Sequence, residues 1–476
     1  EHHLLDGTGV QVPVHIKNLL EDSEYPIRVL SDPIEVLEIR VDSKENVPTA
    51  EGQVRSTTIV PTTSGVAHGL IFWWELKLFG NDLLYNTMET PWQDHWHQCI
   101  FAFATQPDDC THVKKGEPIT LQTTHDDFAL SFAILPSDHD DCKSKRRRRS
   151  TTNNTGLVSP QRAWQLNDRS RSEMIREGIL GLMDQKGLDA VILDVSDFSL
   201  CAMIAALLGA SNVWSLEAGS ANLVDATARI AQVTNGLPLS LEDSNSNLFQ
   251  LIRCHPEQVT TDVLGGTPVD IVVAEPYYEI LEGWALQEAL NFLYILRGLK
   301  RRGVLRPDVL TMPLYARICG CAFESTNISQ GYSTCDTKLC SFSHEVINNY
   351  HGLHEYEVSL PSWQYNYLPL SDPFEIATLD YMSCVIKENP ISEVSFVRSG
   401  TCHGMLVWIE YGIPTTNPSS TVHTLSTQRR SHYQMIRLLK EPVKDIDHTA
   451  DAFFCKATFG RCDKGWDDVN FEISVV

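Results

Sequence analysis

The chain holds 476 residues, 42% of them hydrophobic, enough to bury substantial cores and, at the usual domain size, to form about three domains. No apolar run approaches the roughly 18 to 20 residues that cross a bilayer as a helix, and no basic-then-apolar leader opens the chain. Sixty-one acidic side chains against 38 basic ones leave a formal charge of -23, a field that repels nucleic acid and either attracts cationic partners or only keeps the protein dispersed.

After Val12-Pro13-Val14-His15-Ile16, short runs rich in Ile, Val, Phe, Trp and Thr alternate with Gly, Asn and Asp turns. They are Ile34 to Val41, Gly69 to Leu78, Cys99 to Phe103, Pro118 to Thr123 and Phe128 to Leu135. That spacing predicts a β-sandwich or barrel over 25–136, within a first domain at 1–142. The run Lys143-Ser144-Lys145-Arg146-Arg147-Arg148-Arg149 and the Ser, Thr and Asn text after it hold too little apolar surface to order themselves. Residues 143–170 are therefore predicted to be a linker, its basic run either a nuclear-import signal or a solvated tether.

From Arg171 the period changes. Glu173 to Met183 reads as a helix, Ala190 to Val195 as a buried parallel strand carrying Asp194, and Leu200 to Leu208 as a helix. Val213 to Leu216 reads as a strand closed by Glu217, and Ala221 to Thr234 as a helix. Val269 to Ala274 is a further strand followed by Glu275-Pro276-Tyr277-Tyr278, and Trp284 to Arg302 a long helix. Strands alternating with helices imply right-handed crossovers and a doubly wound sheet over 171–312. Residues 313–476 are read as a second β module with an inserted helical arm.

The landmarks of the two β modules recur in the same order. Leu30-Ser31-Asp32-Pro33, His68-Gly69, Trp74-Glu75 and Asp94-His95-Trp96-His97-Gln98 are answered by Leu370-Ser371-Asp372-Pro373, His403-Gly404, Trp408 with Glu410, and Ser431-His432-Tyr433-Gln434. Pro33 and His68 lie 35 residues apart against 30 for Pro373 and His403. Matched order and spacing imply a duplicated module, of which the first copy has only its β half within this chain.

Asp194 at one strand end and Glu217 at the next follow the layout in which a carboxylate at the second strand tip grips a ribose. Such a site also needs glycines in the first turn, so that backbone amides approach the ligand closely. Here that turn reads Asp194-Val195-Ser196-Asp197-Phe198-Ser199-Leu200, without a glycine. Thirteen cysteines, an odd count without a CxxC pair, point to reduced thiols in an intracellular protein.

The repeat, the strand-turn-helix at 190–217 and the Glu275-Pro276-Tyr277-Tyr278 turn carry a resemblance, as do the barrel texts. The most specific of these are Val66-Ala67-His68-Gly69 to Trp73-Trp74-Glu75, Asp94-His95-Trp96-His97-Gln98, His125-Asp126-Asp127 and Cys402-His403-Gly404 to Trp408-Ile409-Glu410-Tyr411. From about residue 12 to its end the chain resembles the tandem-module protein arginine methyltransferases. The resemblance implies a Rossmann-like methyltransferase domain followed by a β-barrel, preceded by a second β-barrel from a truncated first module. It implies S-adenosylmethionine (AdoMet) as cofactor of the whole enzyme, not bound by this part, and Arg-rich segments of histones and RNA-associated proteins as substrates. The missing catalytic module is expected in cis, nucleic acid and membrane are not expected as partners, and the location is expected to be cytoplasmic and nuclear.

Residue by residue, the family holds the substrate guanidinium with two glutamates on one loop, because a planar cationic fork is best gripped bidentately. Glu275 matches the first; the second falls at Trp284, with Glu279 and Glu282 off register. His95 and Trp96 match the family's THW-like loop, where His fixes the glutamate loop and Trp walls the arginine pocket. Asp194 and Glu217 match the cofactor positions of a degenerate site. The family's zinc motif in the inter-module link is reduced to His139 and Cys142, so no metal is expected there. The resulting expectation is a non-catalytic second module. Its rivals are a working methyltransferase with an unusual cofactor turn in 171–476, and an acidic scaffold that binds basic proteins.

Overall fold

A computed structural model describes residues 11–16, 20, 27–40, 52–78, 83–88, 98–103, 111–125, 130–135, 159–198, 200–218, 224, 227–228, 230–234, 236–237, 239–240, 249–332, 338–339, 341–343, 346, 358–389, 392–416, 422–428, 432–461 and 467–476. The chain forms two compact units, His2–Pro160 and Gln161–Val476.

The strands described in the first unit are β1 (Gln11–Val14), β2 (Gln53–Ile59), β3 (Gly65–Ala67), β4 (Gly69–Phe72), β5 (Glu75–Leu78), β6 (Leu83–Asn86), β7 (Gln98–Ala102), β8 (Thr111–Val113), β9 (Ile119–His125) and β10 (Leu130–Leu135). They pair as β1-β7-β4, β10-β9-β2, β3-β8 and β5-β6. Ile59, Phe101, Leu121, Phe132 and their neighbours form the core.

The second unit opens with α1 (Pro160–Asn167) and α2 (Arg169–Lys186), the latter capped by Asp168 through a side-chain hydrogen bond from Arg171 N–H. There follow β11 (Val191–Asp194), α3 (Leu200–Leu207), β12 (Asn212–Leu216), β13 (Leu239–Ser240), β14 (Phe249–Ile252), β15 (Val269–Val273), α4 (Ala285–Arg301) and β16 (Leu305–Met312). The six strands form one parallel sheet in the order β13-β14-β12-β11-β15-β16. The runs that read as buried strands are buried because helices cover both faces of such a sheet. Of the helix predicted over 221–234, the described part ends in a π-turn at Ile230–Thr234.

The rest of the unit is β17 (Tyr315–Glu324), α5 (Thr326–Tyr332), β18 (Lys338–Leu339), β19 (Phe342–Ser343), β20 (Val358–Leu360), β21 (Leu368–Pro369), β22 (Phe374–Asp380), β23 (Val385–Glu388), β24 (Ser392–Ser395), β25 (Gly400–Pro414), β26 (Val422–Ser426), β27 (Gln434–Ile446), β28 (Ala452–Arg461) and β29 (Asp467–Val475). A large antiparallel sheet runs β20-β27-β25-β17-β22-β23, and a smaller one β24-β28-β29.

The two β modules share their strand pairing residue for residue. Gly69 pairs with Ala102, four residues after Gln98, and Gly404 with Leu438, four residues after Gln434. Val14 faces Gln98 as Leu360 faces Gln434. Glu75 faces Asn86 as Glu410 faces Ser426, and β10-β9-β2 repeats as β29-β28-β24. This register aligns Trp73, not Trp74, with Trp408. It also explains the repeated glycine: a Cβ on Gly69 would strike the carbonyl oxygen of Phe101, and one on Gly404 that of Arg437.

A side-chain clamp is duplicated as well. The Gln98 amide donates to the Thr87 carbonyl and accepts from Ile16 N–H (3.2 Å); the Gln434 amide donates to the Thr427 carbonyl and accepts from Ser362 N–H (3.1 Å). Thr87 and Thr427 in turn take an N–H from Trp74 and Ile409 on their hydroxyls (3.1 and 2.9 Å).

Two expectations need correction. Residues 159–170, predicted to end a linker, are α1 and the start of α2, because Arg162 is drawn into the interior by a distant carboxylate. Ile34 to Val41 is not a strand at its described residues, 34–40; its counterpart β22 pairs with β17, and among the described residues no strand pairs with 34–40. Conversely β2 was not predicted: it is a polar strand at the edge of its sheet, exposed along most of its length.

Replacing Gln434 by Leu leaves Ser362 N–H and the Thr427 carbonyl buried and unpaired. Two such groups at roughly 1 to 3 kcal/mol each predict that Gln434→Leu lowers stability by about 2–6 kcal/mol. Urea denaturation followed by near-UV circular dichroism measures this, and an unchanged midpoint would show that the clamp contributes nothing.

Candidate functional site

Strands β12 and β14 run to one side of β11, and β15 and β16 to the other. That reversal of strand order opens a crevice at the carboxyl ends of β11 and β15, where ligands of open α/β sheets bind. Asp194 ends β11, Glu217 follows β12, and Glu275 lies two residues beyond β15.

Asp194 is fully buried. Its carboxylate accepts from Ser196 N–H (3.0 Å), the Ser196 hydroxyl (2.6 Å) and Ala202 N–H (2.8 Å), so it ties the turn to the first residues of α3. Burial pushes its pKa up to about 6, against the lowering effect of those donors. Glu217 is equally buried. Its Oε2 accepts from Phe198 N–H (3.0 Å) and the Thr227 hydroxyl (3.3 Å), while Oε1 has no hydrogen-bond partner among the described residues. Burial, reinforced by the Asp197 carboxylate, raises Glu217 to about 8.

Phe198 decides what this turn can hold. Its φ of 75° lies in the left-handed region that a bulky side chain rarely enters. It stays there because its N–H is fixed by Glu217 and its ring is 3% exposed. The turn is stitched to the next loop as well: Asp197 N–H donates to Tyr277 O (3.1 Å), Asp197 Oδ2 accepts from Glu279 N–H (2.7 Å), and the Ser196 hydroxyl accepts from Glu275 N–H (3.3 Å). Burial raises Asp197 too.

Glu275 is buried beneath two guanidinium groups. Arg162 of α1 binds it bidentately, Nη1 to Oε1 at 2.5 Å and Nη2 to Oε2 at 2.8 Å, and Nη1 also donates to Gln165 Oε1 (3.2 Å). Arg171 of α2 pairs with the same Oε1. The Arg162 guanidinium lies 4.0 Å from the Tyr277 ring centroid and 5.6 Å from that of Phe198. Burial alone would raise Glu275, but Arg162 and Arg171 together outweigh it and hold the carboxyl at about 2.

Trp284, where the second clamp glutamate was expected, is the residue before α4 and 46% exposed. Glu279 is exposed. Glu288, which sequence reasoning missed, is buried in the first turn of α4, and burial keeps its carboxyl well above the usual range. Beside it, the space lined by Gln161, Gln165, Glu282, Gly283, His432 and Tyr433 measures about 10 Å³, room for no more than a water molecule. Arg162 and Arg171 were missed too. The available signal was Asp168 three residues before Arg171, a helix cap just ahead of two arginines, Arg169 and Arg171.

His95 and Trp96 lie outside the described residues, as do the basic run 143–149 and the pair His139 and Cys142. Among the described residues no group of three His, Cys, Asp or Glu side chains converges to hold a metal, and no helix is long and apolar enough to cross a membrane.

Asp194 and Glu217 occupy the positions at which a nucleotide-type cofactor is gripped, and the Glu217 Oε1 atom suits a ribose hydroxyl. The turn between them does not suit AdoMet. Its Phe198 N–H is spent on Glu217, and a phenylalanine ring stands where the ligand needs bare backbone.

A doubly wound sheet with acidic strand tips, continued into an antiparallel barrel, is a Rossmann-like methyltransferase domain followed by its β-barrel. Compared with curated proteins, the chain is 30% identical over 372 residues to protein arginine N-methyltransferase 7 of Danio rerio, covering 73% of this chain and 51% of that one. It is 26% identical over 417 residues to protein arginine N-methyltransferase 7 of Mus musculus, covering 83% and 56%. The chain spans about half the length of the curated relatives it matches. No family model matches. A solved Trypanosoma brucei PRMT1 enzyme-prozyme complex with AdoHcy aligns at TM-score 0.47 and 17% identity over 65% of this chain and 91% of that one, too distant to add to the argument. The chain belongs to the protein arginine N-methyltransferase family, and the relatives it matches are its methyltransferase 7 members.

Glu217 makes stability depend on pH. Its folded-state value of about 8 exceeds the ordinary 4.5, so the folded state holds the proton where the unfolded state has lost it. Its contribution is therefore complete below 4.5 and declines as pH rises toward 8. The melting temperature is expected to fall between pH 5 and pH 8, and Glu217→Gln, which keeps the acceptor for Phe198 N–H, should flatten that slope. Differential scanning calorimetry across the range checks it; equal slopes in both proteins would refute the assignment.

Proposed function

We propose that the chain contributes a pseudo-methyltransferase module to a type III-like, AdoMet-dependent protein-arginine N-methyltransferase. In this reading the whole enzyme methylates Arg-rich segments of histones and RNA-associated proteins in cytoplasm and nucleus. The module at 171–476 packs against a catalytic module as a dimer partner would, within one chain. The observation that carries the reading is Phe198: a buried phenylalanine in the left-handed region, its amide bound to Glu217, fills the turn where the methyl donor would lie. Trp284 in place of a second carboxylate supports it, because one glutamate cannot clamp a guanidinium from both sides. The acid excess of the chain suits basic substrates. AdoMet belongs to the whole enzyme in this proposal and is not bound here.

One feature favours the rival reading of a working site with an unusual turn: the Glu217 Oε1 atom, buried without a partner among the described residues. Titration calorimetry with AdoMet separates the two. The expected result is no saturable heat from this chain and no transfer of labelled methyl to an Arg-rich peptide. Binding that disappears in Glu217→Gln, or methyl incorporation above the level of a protein-free control, would establish the rival.

A further inference from the structure

We infer that the crevice of the second unit is a guanidinium-binding site filled by the chain's own Arg162. The inference deepens the proposed function by naming what occupies the degenerate site, and it takes from that reading only that the crevice no longer serves an outside substrate.

The geometry is that of ligand recognition. Arg162 is fully buried although it sits on the short helix α1, 113 residues from the carboxylate it meets. Its planar fork engages both oxygens of Glu275, the arrangement that discriminates guanidinium from ammonium. One face of the fork lies over Tyr277 at 4.0 Å from the ring centroid, a distance at which the ring quadrupole attracts a cation. Gln165 accepts a further hydrogen bond at 3.2 Å. These contacts converge beyond the tips of β11 and β15, where the strand order reverses and an external ligand would bind.

Arg171 accounts for the structural needs of Glu275 separately. It approaches the same carboxylate from α2, next to the Asp168 cap, so Glu275 keeps a buried counter-charge when Arg162 is removed. The two arginines therefore differ in kind: Arg171 belongs to the wall, and Arg162 occupies the space the wall encloses. An arginine side chain from another protein enters only if α1 withdraws, so α1 acts as a pseudosubstrate held in place.

Chemical rescue of Arg162→Ala tests this. The substitution deletes what ethylguanidinium restores, so the full chain carrying it is melted with increasing ethylguanidinium chloride, and with ethylammonium chloride as the control of equal charge. Loss of Arg162 is expected to lower the melting temperature by about 10 °C, as for a buried pair that loses one partner. Ethylguanidinium at millimolar concentration should recover at least half of that loss and saturate, whereas ethylammonium should recover none. If the variant does not accumulate folded, the same comparison is made on the folded fraction regained after dilution from urea. Equal effects of the two cations, or no effect of either, would overturn the inference. The assay contains no methyl donor, so its outcome is separate from that of AdoMet binding; the wild-type chain, its site filled, should show no saturable response to ethylguanidinium.

Discussion

A guanidinium group taken out of water must meet a carboxylate, and a carboxylate taken out of water must meet a cation, or each destabilises the fold by several kcal/mol. Glu275 answers two arginines at once, and much of the second unit is arranged so that it can. It sits just past a central strand of the parallel sheet, Arg171 reaches it from α2, and Arg162 reaches it from α1. The same loop returns through Tyr277 and Glu279 to hold the turn after β11. The turn after β11 and the surroundings of Glu275 are thus joined by one connected set of contacts, with Phe198 at one end and Arg162 at the other.

Much of this was legible in the amino-acid order. The strands Val191–Asp194, Asn212–Leu216 and Val269–Val273 announce themselves as continuous apolar runs because they are covered on both faces. The absence of glycine between Asp194 and Leu200 already set this turn apart from the glycine-rich kind. The repeat was legible too, because positions such as Gly69 and Gly404 tolerate no side chain and Gln98 and Gln434 hold the same clamp.

What escaped the sequence is non-local. Arg162 lies in polar text that reads as a tether, and nothing within 113 residues reveals that its partner is buried at a strand tip. Gln53–Ile59 has the polar, exposed pattern of an edge strand, which resembles a loop until its neighbour β9 is known. Ile34–Val41 errs in the other direction. Its composition favours a strand, but a strand exists only as half of a ladder, and among the described residues that half is supplied in the second unit, by β17.

The left-handed Phe198 has a bearing on how such a module evolves. A mutation to glycine there would free the turn but leave Arg162 in the pocket and a tryptophan at position 284. Conversely, clearing the pocket would leave the turn obstructed. If the unit is the pseudo-methyltransferase proposed above, neither change alone restores chemistry, and selection has nothing to favour until all the changes coincide. On the pseudo-methyltransferase reading proposed above, loss of the reaction is in that sense a ratchet, and the unit is left free to specialise as a shape.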